Sequence, residues 1–328
     1  MNKILVIGYG SIGKRHVRNL LEYTNSQIII YTKRQDLNFK TKRVTITNSL
    51  ENGLSKNPNI GFICNETSYH IDAAIKLAQA GLDLFIEKPL SDSMKRIKTL
   101  QRIVKQKKLI TQMGFNLRFH KCIVEIHKLI KQKKIGKIIS IHVENSSYLP
   151  DWHSYEDYQQ SYAGKKRLGG GIVLTQIHDV DYLYWFFGSP KSVFSIMGKF
   201  SDLNISVEDY SASIIQLKNK IIAELHLDFF QGPEYRECKI KGTNGMIFWN
   251  SIDNQVTFYN NKKKKWEVIL KLNNYDRNQM YVGEIKHFLN CVRRRKKTIN
   301  TLHDGIKTLN IALAMKKSSK NKKMLELK

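Results

Sequence analysis

A chain of 328 residues, 41% hydrophobic and 25% charged, holds enough apolar material for two packed domains. Its formal net charge of +27 comes mostly from lysines scattered along the whole chain. We read this as a solvated basic surface that attracts anionic substrates such as nucleotide-linked sugars, and expect no nucleic-acid partner. No apolar run reaches the roughly 20 residues of a membrane-spanning helix, and the first one stops at Gly8, too short for a secretory signal; no membrane partner is expected.

Lys3-Ile4-Leu5-Val6-Ile7 is an apolar run of buried-strand type, and Gly8-Tyr9-Gly10-Ser11-Ile12-Gly13 follows at once. This GxGxxG turn feeds a helix from Ser11 to about Tyr23, with Ile12, Val17, Leu20 and Leu21 on its inner face. The glycines permit a tight turn, a close approach of backbone to a pyrophosphate and close helix–strand packing. The second strand, 27–31, ends in Thr32-Lys33-Arg34. An NAD enzyme usually carries an acid there for the ribose 2′-hydroxyl, whereas an arginine suits the 2′-phosphate of NADP. No acid occurs until Asp36, so NADP is expected ahead of NAD.

Strands at 44–46 and 60–64, a helix at 69–80 closed by Gly81, and a strand at 84–86 continue the alternation. Ser91-Asp92-Ser93 is a helix N-cap signal, and 109–113 gives one more strand. Such alternation predicts a parallel, doubly wound sheet, in which ligands bind beyond the carboxyl ends of the strands. Glu87-Lys88-Pro89 stands at such an end. A partly desolvated lysine there can hydrogen-bond a substrate hydroxyl or carbonyl and stabilise a developing alkoxide. Glu87 would hold it or touch cofactor.

The pattern then changes. Strands follow one another at 138–144 and between 193 and 272, with turns at Thr243-Asn244-Gly245 and Asn260-Asn261. Helices are predicted at about 117–134, 172–187 and 278–295. This predicts an α/β protein with two domains: a Rossmann domain over 1–116, and an α+β domain over 117–328 on a large, mostly antiparallel open sheet. The last helix, about 303–317, is expected to return to the first domain. Lys262–Lys265 reads as a hairpin turn, Arg293–Lys297 as a helix end, and the Lys/Ser-rich stretch at 316–323 as exposed. The outer face of the open sheet points to a homodimer or homotetramer.

Together, and in this order, the motifs resemble the Gfo/Idh/MocA oxidoreductases, named after glucose–fructose oxidoreductase, inositol dehydrogenase and a rhizopine-catabolism protein. The resemblance covers nearly the whole chain. It includes Cys64-Asn65-Glu66-Thr67-Ser68-Tyr69-His70, Gly114-Phe115-Asn116-Leu117-Arg118-Phe119, and Gly169-Gly170-Gly171 with His178 and Asp181. It implies a catalytic Lys88 and cofactor contacts from Gly8, Gly10, Ser11, Ile12, Gly13, Thr32, Lys33, Arg34, Asn65, Thr67, His70, Glu87, Lys88 and Asn116.

The family pattern has an aspartate and then a histidine one helical turn later. Here Thr175 occupies the aspartate position and His178 follows after three residues. Positions i and i+3 share a helix face, so Thr175, His178 and Asp181 are expected together, with His178 as acid/base and Asp181 orienting it. Arg118 could bind substrate or nicotinamide, or equally form a surface or interdomain ion pair. Trp152, Tyr162 and the cations Lys165, Lys166 and Arg167 lie in a loop-like segment suited to an acidic sugar; a packed surface loop is the plainer reading. The expected function is hydride transfer between NAD(P) and a sugar, amino sugar or nucleotide sugar, with a tie to bacterial surface-polysaccharide synthesis. The rival is a cofactor-binding regulator without catalysis. Cys64, Cys122, Cys238 and Cys291 lie far apart, with no CxxC and no metal-ligand spacing, which reads as a cytoplasmic protein without a metal centre.

Overall fold

The computed structural model describes residues 2–34, 37–153 and 156–327. They form two compact units, 1–116 with 278–306 and 117–277 with 307–328. In the first, β1 (Lys3–Ile7), α1 (Ser11–Tyr23), β2 (Gln27–Tyr31), β3 (Val44–Thr47), α2 (Leu50–Ser55), β4 (Ile60–Ile63), α3 (His70–Gln79), β5 (Asp83–Ile86), α4 (Ile97–Gln106) and β6 (Thr111–Met113) alternate. The six strands are all parallel, in the order β3-β2-β1-β4-β5-β6. The order reverses direction between β1 and β4, so the crevice outside their carboxyl ends is the topological switch point. Those strands are apolar without alternation because helices cover both faces: Ile4, Leu5, Val6, Ile60, Phe62 and Ile63 are fully buried.

The second unit continues with α5 (Lys121–Lys131), β7 (Ile138–Ser146), α6 (Ile172–Thr175), α7 (His178–Phe187), β8 (Ser192–Gly198), β9 (Tyr210–Gln216), β10 (Ile222–Asp228), β11 (Tyr235–Gly242), β12 (Gly245–Asn250), β13 (Gln255–Asn260) and β14 (Lys265–Lys271). With β15 (Leu325–Glu326) they make a nine-stranded sheet in the order β14-β13-β12-β11-β7-β10-β9-β8-β15. Only β7 and β10 pair in parallel; the other pairs are antiparallel. The strands alternate as one-sided sheets do. Ile141, Val143, Ala223, Leu225, Cys238 and Ile240 are buried on one face, while His142, Glu224 and Lys239 stand in register on the other.

The chain departs from its sequence pattern in several places. Helix α8 (Asn278–Arg294), expected in the second domain, groups with the first unit. Phe288 on α8 packs edge-on against the stacked Phe62 and Phe85, with ring centroids 5.8 and 5.7 Å away, and Asn278 exchanges amide hydrogen bonds with Asn19 of α1. Of α9 (Leu302–Asn321), only residues up to Ile306 group with the first unit; the rest belongs to the second. Ser91 caps no helix: its Oγ accepts from Ser93 N in a local turn, and α4 starts only after Arg96. The Lys/Ser-rich stretch at 316–323 is mostly exposed, as expected, with one exception. It continues α9, where Ser318 is fully buried and its small hydroxyl accepts from Ser195 N of β8.

Candidate active site

In the first unit the candidate site stands at the switch point. Gly8 has φ +92°, and a Cβ there would lie 2.6 Å from Asn65 N, so β1 and the end of β4 can approach only through glycine. A Cβ on Gly13 would meet Gly8 O at 2.3 Å. Gly10 differs: nothing lies within 4 Å of where its Cβ would be. The turn is closed behind and open in front, and α1 begins at Ser11 with its N–H groups facing outward. Asn65 Oδ1 and Asn116 Oδ1, at the ends of β4 and β6, are buried without a hydrogen-bond partner. An open glycine turn, a helix N-terminus and two orphaned amide oxygens fit a dinucleotide. Lys33 and Arg34 are exposed beyond β2, with Arg34 N donating to Thr32 Oγ1. Asp36, the late acid of the sequence argument, lies outside the described residues.

Lys88 follows β5 on a turn held from two sides. Glu87 Oε2 accepts the Lys88 N–H at 3.1 Å, and Glu87 Oε1 meets His16 Nε2 at 2.6 Å. His70 Nδ1 and Nε2 contact the carbonyl oxygens of Pro89 and Asn65, each at 2.8 Å. Two carbonyl acceptors favour the charged imidazolium, but burial outweighs them and lowers the His70 pKa. Glu87, expected to hold the lysine or to touch cofactor, does hold its turn, and His70, expected to touch cofactor, braces the same turn through Pro89 O. Thr67 is buried in the 3-10 turn ahead of α3.

The remaining expected site residues stand on the second unit. Gly169 and Gly171 adopt φ +80° and +107°, and a Cβ on Gly170 would meet Tyr162 O at 2.3 Å, so Tyr162 borders the glycine run. The helix predicted over 172–187 is broken. α6 ends at Thr175, Gln176 takes φ −97° and ψ 30°, and α7 starts at His178. Thr175 and His178 therefore do not share one continuous helix face, whereas His178 and Asp181 do share α7. Thr175, His178 and Asp181 are 1, 9 and 1% exposed.

Arg118 resolves into an ion pair. Its Nε donates to Asp181 Oδ2 at 2.9 Å and its Nη2 to Asp181 Oδ1 at 2.7 Å, with both side chains 1% exposed. Thr308 of α9 adds a bond to Oδ1, and the guanidinium lies over Trp185. Asp181 is thus engaged by an arginine. Breaking so buried a pair leaves a charge stranded. Arg118→Ala should lower the unfolding free energy by about 3–5 kcal/mol in urea denaturation. A loss below about 1 kcal/mol would mean the pair is not structural.

Beside His178, Asp179 is fully buried. Burial pushes its pKa up, opposed by Arg236 and Asn145. Asn145 Nδ2 donates to Asp179 Oδ2 at 2.7 Å, and Arg236 Nη2 approaches the same oxygen at 3.3 Å. Trp152 Nε1 donates to Ser147 Oγ, which ties the expected aromatic segment to the end of β7; Tyr155 of that segment lies outside the described residues. The sequence reading missed Asp179, Arg236, His16 and Glu284. His16 had a faint signal, one helical turn beyond Gly13; the others become neighbours only through long-range packing.

Among the described residues no helix is long and apolar enough to cross a membrane. A scyllo-inositol 2-dehydrogenase (NAD(+)) from Bacillus subtilis (strain 168) is 25% identical over 337 residues, covering 96% of this chain and 93% of that protein. An inositol 2-dehydrogenase from Rhizobium meliloti (strain 1021) is 31% identical over 134 residues, 40% of this chain and 37% of that protein. The fold is that of a solved levoglucosan dehydrogenase in complex with NADH and levoglucosan, with TM-score 0.87, 16% identity and 99% of each chain covered. A myo-inositol 2-dehydrogenase from Lactobacillus plantarum aligns with TM-score 0.83 and 22% identity, over 100% of this chain and 99% of that one. The profile "Oxidoreductase family, NAD-binding Rossmann fold" matches residues 2–115, and "Oxidoreductase family, C-terminal alpha/beta domain" matches residues 127–327. With both halves of the fold matched in order, the chain belongs to the Gfo/Idh/MocA family of NAD-binding oxidoreductases.

Proposed function

We propose that the protein moves a hydride between a nicotinamide cofactor and a CH–OH carbon of a sugar, amino sugar or nucleotide sugar, in the cytoplasm, in the building of bacterial surface polysaccharide. The observation that carries this reading is Lys88 on its braced turn, at the carboxyl end of β5 in a sheet whose switch point is shaped for a dinucleotide. The family relatives that act on inositols favour a polyhydroxylated substrate, and the basic surface favours an anionic one.

The bound nicotinamide supplies or accepts the hydride. Lys88 donates a hydrogen bond to the substrate oxygen and stabilises the negative charge that develops there. His178 takes the proton from that oxygen in oxidation and returns it in reduction. Arg118 and Asp181 hold α7 and so the histidine. Trp152, Tyr162 and Thr175 are the proposed sugar contacts. A cofactor-reduction screen against nucleotide sugars, amino sugars and polyols tests the reading; no turnover with any of them would count against it.

Lys33 and Arg34 beyond β2 support NADP over NAD. We expect NADPH to bind more tightly than NADH, and Arg34→Ala to shrink the difference, as read by fluorescence titration. Equal dissociation constants in the unmutated protein would refute this preference. The one-sided sheet of the second unit exposes Ile196, Ile214 and Val268, which supports a homodimer or homotetramer through that face.

A further inference from the structure

Beneath the Lys88 turn lies a dry cluster of three titratable side chains, all within the first unit. His16 comes from α1, Glu87 from the end of β5 and Glu284 from α8, and they are 0, 5 and 0% exposed. One polar atom of each lies within 4.8 Å of the other two. His16 and Glu87 are already joined, and Glu87 holds the Lys88 N–H. Glu284 has no such engagement: neither carboxylate oxygen has a hydrogen-bond partner. Its backbone is fixed there by Gln112, whose Nε2 donates to Glu284 O at 3.0 Å. Phe62 and Phe85 wall the cluster, with the Phe85 ring 5.0 Å from that of His16.

Two ionised carboxylates and one imidazole cannot be neutral together. In so buried an enclosure an unbalanced charge is strongly disfavoured. Cys64, the other titratable group facing the two glutamates, offers no positive charge; burial and both carboxylates push its thiol well up. Burial first, and then the charge of Glu87, push the Glu284 carboxyl well above the usual range. One imidazole can balance at most one of the two carboxylates; Glu87 is engaged through both oxygens, and Glu284, with neither oxygen hydrogen-bonded, is the one the geometry leaves un-ionised.

We propose that Glu284 is carried as the neutral acid and serves as a positioning residue. By staying uncharged it leaves Glu87 the single carboxylate of the cluster, paired with His16 and free to hold the backbone that presents Lys88. Its catalytic consequence rests on the role proposed for Lys88; its protonation does not.

The test compares Glu284→Gln, an isostere of the neutral acid, with the unmutated protein. A carboxyl whose folded pKa lies above its unfolded one contributes stability that is present below the unfolded pKa and lost as pH rises to the folded pKa. The two proteins should therefore unfold alike near pH 4. Above that, the unfolding constant of the unmutated protein should rise about tenfold per pH unit relative to Glu284→Gln, then level off beyond the folded pKa. A difference independent of pH would overturn the proposal. Should Glu284→Gln not fold, carboxyl-13C NMR of the unmutated protein decides: one glutamate must stay protonated through pH 7, and ionisation of all of them would overturn it. A stoichiometric divalent cation in the purified protein, lost together with stability on chelation, would also overturn it and make the three residues metal ligands. For the positioning role, Glu284→Gln and Glu284→Leu, both uncharged, should keep kcat within about twofold with cofactor Kd little changed, and should lack the fall in kcat that the unmutated protein shows once Glu284 ionises at high pH. The same fall in all three proteins would overturn that role. Absence of turnover in the unmutated protein would count against the dehydrogenase reading alone and leave the stability comparison to decide the protonation.

Discussion

Lys88→Ala should lower kcat by about 10²–10³-fold, the loss typical of removing one donor from a developing oxyanion. Cofactor binding should stay within about threefold of the unmutated protein, because the glycine turn, α1 and the strand ends that hold the dinucleotide remain in place. The split follows from where Lys88 stands. Its backbone is secured by Glu87, and the carbonyl after it by His70, so truncating the side chain removes a charge without loosening the turn. A group that acts only as the alkoxide forms should cost kcat and kcat/KM together. Single-turnover measurement with the best substrate of the screen checks this; an unchanged kcat would remove Lys88 from the chemistry.

His178→Asn should cut the rate by roughly 10²–10⁴-fold, the range of a lost general acid/base. It should also flatten the limb of the pH–rate profile that falls where histidine changes charge. Asparagine keeps a polar group of similar size at the head of α7, so unfolding by urea should change little. The break at Gln176 gives the prediction its edge. Because α7 starts at His178, the ring projects from a helix N-terminus, and Asp179 and Asp181 behind it are engaged by Arg236 and Arg118. Loss of rate without loss of the pH limb would mean that His178 binds substrate and moves no proton.

The parts of the fold legible in the sequence are those written locally. An apolar pentad followed by GxGxxG announces strand, turn and helix within 23 residues, and β1, the Gly8 turn and α1 form as read. Successive strands with turn residues between them likewise announce the antiparallel sheet. What escaped is written in partners far apart. Arg118 and Asp181 are 63 positions apart, and the sequence left Arg118 open between ligand and ion pair. Their meeting depends on how α7 packs, which no local pattern encodes. The split of α6 from α7 escaped for a subtler reason: Gln176 and Ile177 are ordinary helix residues, and no glycine or proline marks the break. Glu284 escaped because a glutamate on an amphipathic helix ordinarily faces water; nothing nearby warns that this one faces His16 and Glu87.

Helix α8 sets an order on the birth of the molecule. The six parallel strands are complete in a nascent chain by Met113, yet the helix that brings Phe288 against Phe62 and Phe85 begins only at Asn278. At the usual 5–20 residues per second, a ribosome needs roughly ten to thirty seconds to cover that interval. Through that time the flank of the sheet that α8 will close is bare, while the strands of the second unit are being made. The nascent first unit therefore exposes apolar surface that the finished molecule covers. Cutting the gene at the end of its Rossmann sheet would preserve that unfinished state: the fragment would carry every glycine of the cofactor turn and still lack the helix that closes its core.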